Sequence, residues 1–538
     1  MDMDSPERKD NNKYYINNIT GANGAEIRKK LDSDRAAAPK SFEEIIKVLG
    51  GFGWFQVLVI ILYLTLEAVT AFAIFIPIFV ARTPVDWLCD NRTMNSKEIC
   101  GCNGTIKATT DDSIVAEWNL ICDQRWITDF ITSIQMLGLI FGSIIGSQIA
   151  DWYGRKIGFL LSVLLLALGT ASSAVAPNAY VYALCRFVCG AGIQSFINVT
   201  GAGVMEFMPP KFRSLANCIG PLGEGLMILA VIAKYVTPWR TLYWVTTAPY
   251  ALIFIIYPFL PESPRWLLQQ NKIEETHKVL TFVARCNGKK PLDISVLHAI
   301  AKKTNHVPAP DSKEKQPGYL TFITDPKHRT TSLFVMAIWF SWSLTYYGIS
   351  FNIRNIEGDI YFNVFLSGLA NALGQRVTLL TNDSLGRRMS LFSSMTFGAI
   401  FMVVVAVCFY TMEHLGDIVL IMCLLSLFGM SATRSTSKLL TGESFPTNLR
   451  AMSFGLSGIS ITLGGILAPL MASLGTDYPA VPFIILAVVS CAGSLVSFLI
   501  KETKGQNLDR KKSVAPGSMV IDVGDIVEEE TNADKQTT

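Results

Sequence analysis

Twelve long apolar runs decide what this chain can fold into. They lie near 56–81, 128–150, 157–176, 179–205, 215–237, 243–260, 330–350, 362–381, 389–410, 416–441, 452–473 and 479–500. A helix needs about 20 apolar residues to cross the hydrocarbon core of a bilayer, whereas a barrel strand needs about half that. Backbone amides in lipid must be paired within the segment, so runs of this length imply helices. The charges cluster between the runs, and half of the 538 residues are hydrophobic against 17% charged. A net charge of +3 gives no reason to expect a nucleic-acid partner.

Two motifs then recur, one copy per half of the chain. Asp151-x-x-Gly154-Arg155-Lys156 lies between the second and third runs, and Asp383-x-x-Gly386-Arg387-Arg388 between the eighth and ninth. Glu206-x-x-Pro209-x-x-x-Arg213 follows the fourth run, and Glu443-x-x-Pro446-x-x-x-Arg450 follows the tenth. A long internal duplication of hydrophobic segments predicts an all-α membrane protein of twelve transmembrane helices in two pseudo-symmetric six-helix bundles.

The expected organisation follows. Residues 1–53 form a cytoplasmic arm, with a short amphipathic helix after the capping box at Ser41 and Glu44. Residues 54–260 form the first bundle and 330–500 the second, joined by a cytoplasmic loop at 261–329 with helical pieces near 264–285 and 293–303. Residues 501–538 form a polar tail, read as disordered. Lys and Arg concentrate in the middle loop and beside Gly154 and Gly386, which places both termini in the cytosol. No cleavable leader is visible, so the first run serves as its own insertion signal.

The 82–127 loop then lies outside. It carries Cys89, Cys100, Cys102 and Cys122, an even number that suggests two disulfides of open pairing. It also carries two glycosylation sequons, at Asn91 and Asn103. The loop has no His, which disfavours a metal site. No phosphate-binding Gly-rich loop and no nucleophile elbow stand out, so neither ATP hydrolysis nor another enzymatic activity is expected, and no cofactor.

The motifs also carry a resemblance. The Asp151 loop resembles the signature between helices two and three of the major facilitator superfamily. Pro261-Glu262-Ser263-Pro264-Arg265 and Glu502-Thr503-Lys504-Gly505 resemble the matching signatures of its sugar-porter and organic-ion branches. Gly50-Gly51-Phe52-Gly53, Glu117-Trp118-Asn119-Leu120-Ile121-Cys122 and Glu443-to-Arg450 narrow this to solute carrier family 22, over about residues 42 to 508. The external loop is shorter and poorer in cysteine than is usual there. The resemblance implies alternating-access transport of small organic ions by a protein of the plasma membrane. Its partners would be the bilayer, the substrate and a counter-substrate or coupling ion, and a monomer is expected.

Two residue sets are the candidate machinery. Asp151, Arg155, Glu206 and Arg213 in one half, with Asp383, Arg387, Glu443 and Arg450 in the other, are expected to form a cytoplasmic gating latch that holds the outward-facing state. Charge near lipid is costly unless paired, and the acids repeat with the bases. Positive-inside topology alone would account for the bases but not for the acids. Inside the membrane lie Glu67, Arg186, Glu224, Arg376, Arg434 and Lys438, with a basic excess in the second half. Arg434 precedes Glu443 by about 13 Å of helix, near the midplane. This favours organic anions, unless the arginines serve to pair with Glu67 or Glu224. Lys438 could also snorkel to the inner surface. Tyr346 and Trp342 share a helical face and could stack on a flat substrate, or serve in packing. Gln194 and Asn198 could offer hydrogen bonds to substrate or between helices. In the resemblance, a charged residue in helix eleven separates cation from anion carriers; the matching position is the neutral Thr462. Organic cations or zwitterions remain the alternative substrates, and a non-transporting receptor the alternative of another class. A channel is disfavoured by the lack of a repeated pore loop.

Overall fold

A computed structural model of the chain describes residues 42–503, apart from 210–219, 306–320, 412–415 and positions 85, 91, 96, 97, 103, 111, 357, 446 and 479. The tail after 503, Ser41, Arg213 and both sequon asparagines, Asn91 and Asn103, lie outside the described residues, as does the Arg450 side chain.

The first bundle contains α1 (Trp54–Phe75), α2 (Trp126–Phe141, running through a π-helical turn at Gly142–Gly146 into Ser147–Tyr153) and α3 (Arg155–Ala174). It is completed by α4 (Ala179–Phe207), α5 (Leu222–Tyr235) and α6 (Trp239–Ile256). The second contains α7 (Pro326–Asn352), α8 (Ile360–Ser384), α9 (Arg387–Thr411), α10 (Gly416–Ser444), α11 (Thr447–Asp477) and α12 (Ala480–Leu499). Among the described residues, nine helices are long and apolar enough to cross a membrane. Several helices outrun the apolar stretches that announced them: α7 begins at Pro326 and α11 at Thr447, each with a polar first turn. Across the interface between bundles α5 packs on α8 and α2 on α11.

Pro77 sets the end of α1. It has no N–H, so the Ala73 carbonyl four residues earlier loses its helical donor. The helix stops at Phe75 and a short turn, Pro77–Val80, follows. The orphaned Ala73 oxygen is taken instead by Arg186 Nη2 of α4, at 2.5 Å, and Gln135 Nε2 of α2, at 3.2 Å. Arg186 is fully buried and also bonds the Gln135 side-chain oxygen through Nε at 3.1 Å. Its charge therefore sits on the negative end of a broken helix.

The loop after α1 holds three antiparallel strands, β1 (Asp86–Cys89), β2 (Arg92–Asn95) and β3 (Ile106–Ala108), in the order β2-β1-β3. Disulfides Cys89–Cys102 and Cys100–Cys122 tie it together. Asp90 accepts from the Thr105 amide and hydroxyl, both at 2.9 Å, which holds its carboxyl below the usual range. A short helix, Ile114–Trp118, presents Glu117 to Trp239 Nε1 at 2.9 Å and to Arg240, fastening the loop onto the ends of α3 and α6.

On the opposite face the middle loop rides on the first bundle. The sequence predicts a helical piece near 264–285. The structure has Pro264–Gln269 and Ile273–Cys286, broken where Asn271 takes a positive φ of 59°. Asn287 accepts from the Phe55 amide at 3.0 Å and donates to Leu49 O and Gln56 Oε1, both at 3.0 Å, capping the start of α1. Ile45, Leu49, Leu268, Leu280 and Leu297 form a small apolar cluster beneath it, which includes the helix Phe42–Val48.

Between the bundles the tightest point is a pair of glycines. A Cβ at Gly223 of α5 would stand 2.5 Å from Gly368 O of α8, and one at Gly368 would stand 2.7 Å from Gly223 O. Both obstacles are backbone and cannot rotate away. Gly223→Val is expected to wedge α5 from α8 and cut any transport at least tenfold at equal surface abundance, measured by uptake normalised to surface biotinylation.

Candidate functional site

The two repeated motifs build matching clasps on the middle-loop face. Arg155 Nη2 lies 3.0 Å from Glu206 Oε1, and Arg155 Nη1 pairs with Asp151. In the second bundle Arg387 Nε lies 3.4 Å from Glu443 Oε2 and Nη1 3.8 Å from Asp383 Oδ1. Each pairing stays within its own bundle. Both clasps gain a carboxylate not counted among the latch residues. Glu262 accepts from the amides of Arg155 (2.8 Å) and Lys156 (3.1 Å) at the start of α3. Glu502 does the same for Arg387 (3.1 Å) and Arg388 (3.0 Å) at the start of α9. A carboxylate on the free N–H groups of a helix start is a charge-assisted contact. The glycines of the motif make room for it. Gly154 and Gly386 have φ of 105° and 86°, and a Cβ there would stand 2.3 Å from Glu262 and 2.9 Å from Glu502. The sequence signal was present, since both acids fall in repeated signatures, but their partners lie more than a hundred residues away.

The intramembrane charges form pairs across the interface. Arg434 Nη2 of α10 lies 3.6 Å from Glu67 Oε1 of α1. Arg376 of α8 pairs with Glu224 of α5 and also donates to Ala372 O at 2.8 Å. A small polar pocket surrounds the first pair. It is lined by Tyr63, Glu67, Gly220, Gln375, Arg434, Ser435 and Lys438, and holds about 10 Å³, room for roughly one water. Glu67 is 4% exposed and its Oε2 has no hydrogen-bond partner among the described residues. Arg434 and Lys438 line the pocket together with this carboxylate.

The other candidate residues lie outside this pocket. Arg376 and Glu224 engage each other, which removes Arg376 from the basic excess. Trp342 is 2% exposed and donates Nε1 to Met430 O at 2.7 Å, and Tyr346 stacks on it at 5.1 Å, so both serve helix packing here. Gln194 donates to Asn198 at 2.9 Å, and Asn198 to Ser143 and Ser147 of α2, both at 3.1 Å, which joins α4 to α2. Thr462 is 2% exposed with its hydroxyl on Gly458 O at 2.9 Å. Tyr63, Gly220, Gln375 and Ser435 are the pocket residues that sequence reasoning missed. Tyr63 could have been found, because it lies one helical turn before Glu67.

The disulfide-loop face is closed by contacts between bundles. Arg354 pairs with Asp129, Lys234 Nζ lies 3.7 Å from Asp359 Oδ2, Arg82 donates to the Tyr361 hydroxyl at 3.2 Å, and Phe79 stacks on Tyr361 at 5.7 Å. A hollow of about 620 Å³ lies elsewhere: an apolar groove between α9 and α12 lined by Val403, Ala406, Ile484, Val488 and Leu495. With no polar group to orient a ligand, it suits acyl chains of the bilayer.

Comparison with known proteins agrees with this architecture. The family profile described as Sugar (and other) transporter matches residues 103–514. The chain is 30% identical over 401 residues to solute carrier family 22 member 20 of Mus musculus, covering 73% of this chain and 70% of that protein. It is 29% identical over 405 residues to solute carrier family 22 member 13 of Homo sapiens, covering 74% and 70%. It is 27% identical over 407 residues to the beta-alanine transporter of Drosophila melanogaster, covering 75% and 66%. Its fold is that of the xylose transporter XylE from E. coli in an inward open conformation, with a TM-score of 0.60 at 15% identity over 84% of this chain and 98% of that one. The duplicated clasps, the paired bundles and these matches lead to one assignment: the chain is a multi-pass membrane protein of the sugar (and other) transporter family of the major facilitator superfamily, within solute carrier family 22.

Proposed function

We propose that this transporter carries small organic anions bearing a carboxylate, by alternating access at the plasma membrane, with the disulfide loop outside and both termini in the cytosol. The observation that carries the reading is the pocket between the bundles, where Arg434 pairs with Glu67 and Lys438 lines the same space, with no second carboxylate among the described residues. A guanidinium near the midplane is expensive to keep and is retained where it meets a counter-ion or a substrate. Arg434 has both: Glu67 holds it in the empty protein, and a substrate carboxylate replaces Glu67.

The inter-bundle contacts on the disulfide-loop face support a state closed on that side. The clasps around Arg155 and Arg387 tie the inner helix ends within each bundle, so each bundle rocks as a unit. The pocket as it stands admits no substrate, so binding requires the bundles to part.

Glu67 beside Arg434 favours a second reading, a zwitterion bound by its amine at Glu67 and its carboxylate at Arg434, as the relative named a beta-alanine transporter suggests. Uptake into proteoliposomes separates the readings. Saturable, trans-stimulated uptake of p-aminohippurate is expected, with tetraethylammonium excluded. Preference for carnitine over p-aminohippurate selects the zwitterion, and no flux of any of the three selects a receptor.

A further inference from the structure

Among the described residues Glu67 is the pocket's one carboxylate, and one of its oxygens lacks a hydrogen-bond partner. Oε1 faces Arg434 at 3.6 Å, longer than a hydrogen bond, and Oε2 is buried without a partner among the described residues. We propose that Glu67 is a proton carrier: each organic anion that takes Arg434 crosses together with one proton held on Glu67. The inference rests on the anion reading above and adds the coupling ion.

The argument is one of counter-ions. Glu67 lies thirteen residues into α1, about 20 Å from its start, and is almost sealed from solvent. Arg434 is its counter-ion in this state. When the substrate carboxylate captures the guanidinium, Glu67 loses that support in a site of low dielectric, where an unpaired charge neutralises sooner than remain. One proton passes from water in the opened pocket to a Glu67 oxygen, giving the neutral acid. After the bundles rock, the anion leaves, Arg434 returns to Glu67, and the proton passes to water on the other side. One negative charge and one proton move together, so the step is electroneutral. Binding of anion and of proton are linked and must each strengthen the other.

The groups around Glu67 fit this role. Tyr63 on its own helix and Gln375 and Ser435 across the pocket are neutral hydrogen-bonding partners for a protonated acid. From α10, Arg434 and Lys438 supply positive charge. On α5, Glu224 is engaged by Arg376. On α6, Tyr250 donates to Val69 O at 3.2 Å, and Arg186 on α4 is committed to Ala73. Among the described residues no second carboxylate lines the pocket, so the proton has one place to go.

The test uses the full chain in proteoliposomes with p-aminohippurate as the probe, corrected for empty liposomes. An inward proton gradient of one pH unit is expected to drive accumulation about tenfold above equilibrium, the limit for one proton per anion, and a trapped pH dye should report acidification that starts on adding the anion. Glu67→Gln should lose the gradient-driven accumulation and the dye response, and Glu67→Asp should keep both with a shifted pH profile. Saturable uptake that ignores the gradient, with no dye response, overturns proton coupling but leaves the anion reading standing; the dye result needs no variant and decides even if Glu67→Gln misfolds. Absence of saturable p-aminohippurate uptake overturns the anion reading, and this inference with it.

Discussion

Arg434→Ala is expected to abolish p-aminohippurate uptake, by at least twentyfold, while the protein still reaches the membrane. The residue is the cation that Glu67 faces, and removing it has two effects. It deletes the group that would receive a substrate carboxylate, and it leaves Glu67 without its counter-ion. Breaking one side of a buried pair costs about 3–5 kcal/mol, which is more than the affinity difference between millimolar and tenfold-weaker binding. Arg434→Lys keeps the charge but not the planar fork, so partial activity with weaker binding is expected. The paired variant Glu67→Gln with Arg434→Ala removes both charges and should restore stability without restoring uptake. Anion uptake that survives Arg434→Ala at normal surface levels would remove the basis for the anion reading.

Arg186→Met should act on stability, not on substrate. Arg186 is fully buried and spends its donors on Ala73 O, Gln135 Oε1 and Cys189 Sγ. Methionine fills similar volume but leaves the Ala73 and Gln135 oxygens short of donors at the break before Pro77. A hydrogen bond to a charged group contributes about 1.5–3 kcal/mol and an abandoned buried acceptor costs about 1–3 kcal/mol. For a bundle of this size that corresponds to a fall of roughly 6–10 °C in the thermal midpoint, measured in mild detergent. The KM for anion uptake by the surviving protein should stay unchanged. A raised KM with unchanged stability would move Arg186 from architecture to the substrate path. The contrast with Arg434 is instructive: both are intramembrane arginines, and their partners differ. Arg186 answers a defect in the backbone of α1, whereas Arg434 answers a side chain across the bundle interface.

The same contrast shows what could be read in the chain. The repeats at Asp151 and Asp383, and at Glu206 and Glu443, carried the acid–base grouping of the clasps because motif spacing is local and survives duplication. Glu262 and Glu502 stood in equally visible signatures, yet their role depends on where a chain returns after three further helices. Trp342 and Tyr346 share a face, as their spacing required, but spacing does not say whether that face meets solvent or Met430. Gln194 and Thr462 were polar residues in apolar runs, and the structure shows each satisfied by helix partners, the common fate of such groups in lipid.

The sequence by itself determined the twelve-helix membrane class, the two-bundle repeat and the chemistry of the clasps. These depend on hydrophobic run length, on where charge is affordable, and on residues a few positions apart. The tertiary structure alone decided which charges cancel. Glu67 meets Arg434 and Glu224 meets Arg376 because α1 crosses α10 and α5 crosses α8, and a Coulomb interaction depends on separation in space, which neither helix records in its own sequence.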